Sequence, residues 1–131
     1  MKQQVSRDDN WRVQEILARA FDQYCQDTGY QQAIPTIEEW LKDTNPNVKR
    51  AVTEGLRVWT NRSYFKENPE IAINYLCRLK NDGSEYVRKS VGNALRDISK
   101  KHKELIKSEL LEWNLADNAV KQTHKLASRL L

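Results

Sequence analysis

The chain has 131 residues and a net charge of +4; 39% of its residues are hydrophobic and 31% are charged, with only four Gly and three Pro. This length suits one compact domain, and this composition argues against a disordered, collagen-like or turn-rich β protein. No run of 18 apolar residues and no apolar stretch near Met1 occurs, so the sequence supports neither a membrane span nor secretion, and we expect a cytoplasmic helical protein.

Four segments with a helical pattern begin at valines along the chain. The valines are Val13, Val48, Val87 and Val120, separated by 35, 39 and 33 residues. The position four residues after each valine holds Leu17, Val52, Val91 and His124. The position seven residues after each valine always holds a small residue: Ala20, Gly55, Ala94 and Ala127. This spacing predicts four repeated helices with a notch for close packing.

Three further segments with their own apolar stripe lie between the valine helices, at residues 30–42, 69–80 and 104–113. Asn45-Pro46 and Ser84 supply helix start signals before two of the valines. An Asp stands five residues before each of the first three valines, at Asp8, Asp43 and Asp82. Each pair of segments therefore predicts a helix-turn-helix unit that must pack against its neighbours to be stable.

The predicted architecture is an all-α, right-handed α-α superhelix of HEAT type with about seven helices. One domain covers residues 1–131, with a half repeat at 8–28 and full repeats at 30–62, 68–101 and 104–131. The helix that begins at Val13 has no partner helix before it in the sequence. We therefore expect either that the chain is a piece of a longer solenoid or that a second subunit, as in a homodimer, covers this helix.

The apolar stripe of each valine helix predicts the core. The position eleven residues after each valine holds Tyr24, Trp59, Ile98 and Leu131, which we expect to be buried together with Trp40 and Trp113. Cys25 and Cys77 lie 52 residues apart within apolar helical patterns, and we expect two buried thiols without a disulfide.

A face beside this stripe carries basic residues. Residues 1–47 hold 5 Lys and Arg against 8 Asp and Glu, whereas residues 48–131 hold 17 against 10. In the two middle repeats, five cations fall on one side of adjacent helices: Arg50, Arg57, Lys89, Arg96 and Lys100. Such a basic track complements the phosphates of duplex DNA, although a solvated basic face explains it equally well. Lys49, Arg88 and Lys121 lie on another flank, where we expect pairing with the loop aspartates rather than ligand contact.

Two acids, Glu54 and Asp97, stand immediately beside the track. A fixed carboxylate stabilises an alkylated, positively charged purine and the oxocarbenium character that forms when its glycosidic bond breaks. The alternative is a set of surface ion pairs, Glu54 with Arg50 and Arg57, and Asp97 with Lys101. The two histidines, His102 and His124, have no partners at metal-ligand spacing, and no phosphate-binding loop occurs, so we expect no metal and no cofactor.

Three segments resemble the HEAT-like DNA alkylation repair family, the bacterial alkylpurine DNA glycosylase superfamily: Asn10-Trp-Arg-Val-Gln-Glu15, residues 47–57 and residues 85–101. The resemblance implies a helical solenoid that holds duplex DNA on a concave basic face and excises N3- and N7-alkylpurines. It implies site roles for Glu54 and Asp97, and Trp59 is the nearest match to an aromatic residue against the lesion. Family enzymes have more repeats than this chain. A non-catalytic scaffold for protein interactions is therefore the alternative function.

Overall fold

The computed structural model describes residues 11–60 and 62–131, and all regular structure in these two ranges is helical. The helices are α1 (Trp11–Thr28), α2 (Tyr30–Leu41), α3 (Pro46–Trp59), α4 (Ser63–Glu67), α5 (Pro69–Cys77), α6 (Glu85–Ser99), α7 (Lys103–Leu111) and α8 (Asn118–Ala127). Seven of them are the predicted helices. The additional one, α4, is a short helix that the apolar period does not reveal. Within the described ranges, none of the helices is long and apolar enough to cross a membrane.

Side-chain caps explain where three of the valine helices begin. The side chain of Asn45 accepts a hydrogen bond from the Asn47 amide at 2.9 Å, and Pro46 opens α3. Ser84 Oγ accepts from the Val87 amide at 3.3 Å before α6. Asp117 caps α8 in the same way. These oxygens satisfy amides that have no partner within the helix, so the start signals in the sequence are confirmed.

The helices form two layers. Helices α1, α3, α6 and α8 pack side by side in chain order, and α2, α5 and α7 pack against them as the second layer. The core lies between the layers and includes the repeat valines of three helices, Val48, Val87 and Val120. Ala94 and Ala127 fill the predicted notch positions and are fully buried. The all-α, HEAT-like repeat fold is thus confirmed. Asp8 lies outside the described residues, as does the side chain of Val13.

Most of the predicted core residues are buried. Trp59, Ile98, Trp40 and Trp113 are all in the core, and the two cysteines are free and buried. Two predictions in this set are wrong: Tyr24 and Leu131 are 42% and 41% exposed. The Tyr24 hydroxyl lies 3.2 Å from Thr36 Oγ1 at the surface. Leu131 lies beyond the end of α8, where the helical period on which the prediction rests no longer applies.

Polar contacts between repeats accompany the apolar packing. Lys49 Nζ lies 2.6 Å from Asp82 Oδ1, so the predicted pairing of a loop aspartate with a basic residue of the neighbouring repeat is confirmed there. Arg88 also joins two repeats, but through neutral acceptors: the backbone oxygen of Asp82 at 2.7 Å and Gln122 Oε1 at 2.9 Å.

Candidate nucleic-acid interface

The predicted track residues lie on the two central helices of the first layer. Arg50 and Arg57 are on α3, Lys89 and Arg96 are on α6, and Lys100 is the C-cap of α6. Because α3 and α6 pack side by side, these cations and the two acids between them share one surface. We call the set of Arg50, Glu54, Arg57, Arg96, Asp97 and Lys100 the α3–α6 cluster.

Glu54 is held by both helices. Its Oε1 lies 3.5 Å from Arg50 Nη2, and its Oε2 lies 3.4 Å from Arg57 Nη1. Ser90 on α6 donates a hydrogen bond to Oε1 at 3.3 Å, and the Ser90 hydroxyl also lies 2.6 Å from that of Thr53 in the buried α3–α6 contact. These contacts fix the carboxylate against the neighbouring repeat. The predicted pairing of Glu54 with Arg50 and Arg57 is confirmed.

Asp97 takes its main partner from the preceding repeat. Arg57 Nε donates to Asp97 Oδ2 in a short contact, while Arg96 Nε and Lys100 Nζ lie 3.3 Å and 3.8 Å from Oδ1. Burial alone would raise the pKa of Asp97, but the hydrogen bond and charge of Arg57, with Arg96 and Lys100, lower it below 3.8. Burial would lower the pKa of Arg57, and the two carboxylates raise it instead. Asp97 is therefore ionised at neutral pH.

Arg57 bridges the two candidate catalytic acids. It contacts Glu54 through Nη1 and Asp97 through Nε, so the carboxylates converge on one guanidinium rather than on open space. Four cations surround two carboxylates in the α3–α6 cluster, which leaves a net charge of +2. Lys89 instead forms an i,i+4 pair with Glu85 at 3.3 Å, and both side chains are well exposed. Such an exposed pair binds weakly and is easily exchanged.

A cavity of about 310 Å³ opens beside the cluster, between the C-terminal ends of α3 and α6. Its lining includes Arg57, Asp97, Lys100, Lys101 and His102, so cations outnumber carboxylates on its walls. His102 has no metal-binding set around it: within the described ranges, no three His, Cys, Asp or Glu side chains are placed to hold a metal ion.

Trp59 belongs to the hydrophobic core. Only 1% of its surface is exposed, and its ring packs against Phe65 and Tyr30 with centroids 5.9 Å and 5.3 Å away. This burial does not support the expected contact of the ring with a lesion, which stays a prediction.

Asp22 accepts a hydrogen bond from the indole N–H of Trp59, a contact that the sequence analysis did not predict. Trp59 Nε1 and Arg62 Nη1 each donate to Asp22 Oδ1 at 2.6 Å. Asp22 also lines a cavity of about 160 Å³ with Glu54, Gly55 and Trp59. Its position offered a signal, because Asp22 stands nine residues after the first valine, where the other three repeats have arginine: Arg57, Arg96 and Arg129.

A second groove, between α6 and α8, was also missed. It has a volume of about 260 Å³, and its cationic lining consists of Arg88, Lys89, Lys125 and Arg129. Lys89 belongs to the predicted track, and Arg129 stands at the repeat position of Arg57 and Arg96. The arginine column could have identified Arg129, whereas nothing in the sequence pattern singles out Lys125.

The layered helical repeat and its basic face place this chain in a class of HEAT-like proteins. A family model described as "DNA alkylation repair enzyme" matches residues 1–127, and the chain belongs to that family. The family resemblance of its motifs is thereby confirmed.

The chain is similar to two proteins of solved structure and to one further protein. The crystal structure of AlkD2 from Streptococcus mutans is 60% identical, with a TM-score of 0.93 over 97% of this chain and 61% of that chain. A Pseudomonas fluorescens alkylpurine DNA glycosylase, AlkC, bound to DNA containing an abasic site analog, is 31% identical, with a TM-score of 0.73 over 95% of this chain and 39% of that chain. The uncharacterized protein YhaZ of Bacillus subtilis (strain 168) is 36% identical over 84 residues, 61% of this chain and 24% of YhaZ. The chain thus spans less than two thirds of the length of each.

Proposed function

We propose that this chain binds duplex DNA through the exposed face of α3, α6 and α8, and that Glu54 and Asp97 assist the excision of N3- or N7-alkylated purines. The observation that carries the proposal is the α3–α6 cluster, in which two fixed carboxylates lie within a net positive surface. The family match supports it. So does the DNA-bound AlkC, whose fold this chain shares over 95% of its residues.

In the proposed complex, the cations of the basic track contact the DNA phosphates. Arg50, Arg57, Arg96 and Lys100 outnumber the two carboxylates that they contact, and Lys89 has only an exposed partner. A phosphate that approaches this surface meets a net positive charge and releases the counterions condensed on the duplex. The arginines offer several donors in a planar fork, which suits phosphate oxygens.

The proposed chemistry depends on Arg57. In the unbound arrangement Arg57 contacts both acids, so its single positive charge is shared between the two carboxylates. A DNA phosphate competes for the same guanidinium. When Arg57 turns to the phosphate, each acid loses one cationic partner beside the bound backbone, while Glu54 keeps Arg50 and Asp97 keeps Arg96 and Lys100 within ion-pair distance. Binding and activation of the carboxylates would thereby be coupled through one side chain.

The reaction would be a hydrolysis without metal or cofactor. The bond between C1′ and the purine nitrogen breaks, and the alkylated base leaves with the electron pair, which neutralises its positive charge. Water adds to C1′ and loses a proton to solvent. Glu54 and Asp97 would stabilise the positive charge on the base and on the sugar as it develops, which is the electrostatic role that fixed carboxylates serve.

The binding step is tested with charge-reversed variants. We expect Arg50→Glu, Lys89→Glu and Arg96→Glu, combined in one chain, to abolish binding to a fluorescent duplex at low salt, because the track then carries net negative charge. Lys66→Glu, Lys103→Glu and Lys107→Glu, combined in one chain, are the matched control outside the first layer and should bind as the wild type does. Unchanged binding by the triple variant would remove the DNA track and favour the protein-interaction scaffold.

The excision step is tested by release of 7-methylguanine and 3-methyladenine from alkylated DNA. We expect wild type to release at least one of these bases and the double variant Glu54→Gln, Asp97→Asn to release far less while binding DNA at least as tightly. No release by wild type, or equal release by the double variant, would contradict the catalytic part of the proposal and leave the binding part standing.

The repeat boundaries 8–28, 30–62, 68–101 and 104–131, and a cover over α1, also belong to the proposal. The cover would be a second copy or further helices over α1, where Ile16 is 59% exposed. Sedimentation of the purified chain tests the homodimer, and a monomer at micromolar concentration would contradict that form of the cover.

A further inference from the structure

The groove between α6 and α8 differs in charge from the α3–α6 cluster. Its cationic lining, Arg88, Lys89, Lys125 and Arg129, faces a single acid, Glu85. Glu85 is already paired with Lys89. Among the residues that the structure describes, Arg88, Lys125 and Arg129 have no carboxylate within ion-pair distance, whereas Arg57 contacts two. The groove therefore holds three cations whose charge nothing in the described chain neutralises.

Arg88 is fixed in place without being neutralised. Its Nη1 donates to the backbone oxygen of Asp82, and its Nη2 donates to Gln122 Oε1 on α8. Both acceptors are uncharged, so the guanidinium keeps its full charge at the junction of two repeats. Its buried Nε has no hydrogen-bond partner in the structure.

Side chains held in their binding geometry lose little freedom when a ligand arrives, so they contribute more to affinity. An anion with several oxygens matches this groove, because it supplies acceptors to a fixed guanidinium and charge to Lys125 and Arg129. A phosphate group has both properties. Glu85 is the one acid among the residues that line the groove, where four cations outnumber it.

We propose that the α6–α8 groove is a phosphate-binding site, formed by Arg88, Lys125 and Arg129, and that it is occupied by the DNA backbone. The second half of this statement rests on the function proposed above. The lining supports it, since the groove includes both Lys89 of the track and Arg129, which follows the end of α8, so the basic face continues from α6 to α8. A phosphate here meets no competing carboxylate on Arg88, Lys125 or Arg129 within the described chain, whereas a phosphate at Arg57 competes with two carboxylates. The groove is therefore the stronger of the two anchors.

The test is a duplex-binding titration with Lys125→Gln and Arg129→Gln combined, both exposed positions whose change leaves the core intact. Each lost phosphate contact should lower the slope of log K against log salt by about one, so we expect a decrease of about two. The matched control, Lys103→Gln with Lys107→Gln on α7, removes the same charge from the second layer and should leave the slope unchanged. If wild type binds DNA and the groove variant keeps the wild-type slope, the groove proposal is overturned and the proposed function stands.

A second experiment tests phosphate binding to the groove in the absence of DNA. Inorganic pyrophosphate is titrated into isotopically labelled protein, and the amide resonances of residues 122–129 are followed. Saturable shifts that vanish in the Lys125→Gln, Arg129→Gln variant support the phosphate site. If the site binds pyrophosphate but the chain does not bind duplex DNA, the DNA backbone as occupant and the proposed function are overturned, while the phosphate site stands. Absence of such shifts in wild type, or equal shifts in the variant, would overturn the site itself.

Discussion

Replacing Gly55 with Ala tests how tightly Trp59 is packed in the notch of α3. A Cβ atom added at Gly55 would lie 2.7 Å from both Cε2 and Cη2 of Trp59, and closer still to Cζ2. These distances are well below van der Waals contact. The indole cannot simply move aside, because it is buried among Phe21, Tyr30 and Phe65 and donates its N–H to Asp22.

The sign of the change in stability depends on one stabilising and two destabilising contributions. Alanine is favoured over glycine inside a helix by about 1 kcal/mol. Overpacking a filled core costs about 1–3 kcal/mol. A shift of the ring also weakens its hydrogen bond to the charged Asp22, and such bonds contribute about 1.5–3 kcal/mol. We therefore expect Gly55→Ala to lower the free energy of unfolding by about 1–3 kcal/mol overall.

The assay is urea unfolding followed by tryptophan fluorescence and by circular dichroism. We expect a lower midpoint at an unchanged denaturant slope, which indicates lost stability rather than a different unfolded state. Gly83→Ala is the control: no atom lies within 4 Å of an added Cβ there, so its midpoint should stay near that of wild type. Stabilisation by Gly55→Ala would refute the reasoning, because it would mean that the ring does not fill the notch.

Three other changes test separate parts of the structure. Asp22→Ala removes the acceptor of the Trp59 indole and should destabilise the fold by about 1–3 kcal/mol in the same assay; a neutral result would contradict the contact. Asp97→Asn should destabilise at neutral pH and progressively less as pH falls below about 4, because the lowered pKa of Asp97 means that its stabilising charge is lost only on acidification; a pH-independent difference would contradict this. Burial, followed by the charge of Asp22, raises the pKa of the Cys25 thiol to about 12. Cys25 and the buried Cys77 should therefore react with a thiol reagent only after unfolding. Rapid labelling of the native protein would count against the packing.

The fold could be predicted from the sequence because its signals are local and repeated. The valine spacing and the small residue seven positions later define the packed layer, and Asn45 and Ser84 define two helix starts. The short α4 could not be predicted, since one or two turns carry too little periodicity. Leu131 was misplaced for a related reason: the period continues in the sequence after the helix has ended.

The candidate site was predicted only in part because its contacts cross between helices. Periodicity on α3 was sufficient to pair Glu54 with Arg50 and Arg57. The contact of Arg57 with Asp97 depends on how α3 and α6 align, which no pattern within a single helix specifies. The same limit applies to the α6–α8 groove, where unneutralised charge is visible only once the surrounding carboxylates have been located.

The central claim is that duplex DNA binds to the basic face of the first helical layer. The most direct measurement is the affinity of the wild-type chain for a labelled duplex, taken by fluorescence anisotropy between 50 and 200 mM salt. The α3–α6 cluster contributes a net charge of +2 and the α6–α8 groove contributes three unneutralised cations, so we expect about five phosphate contacts. The relation between counterion release and salt then predicts a linear log–log plot with a slope near −4.5 and a loss of about 500-fold in affinity over that range. No binding at 50 mM salt, or binding that salt does not weaken, would contradict the claim.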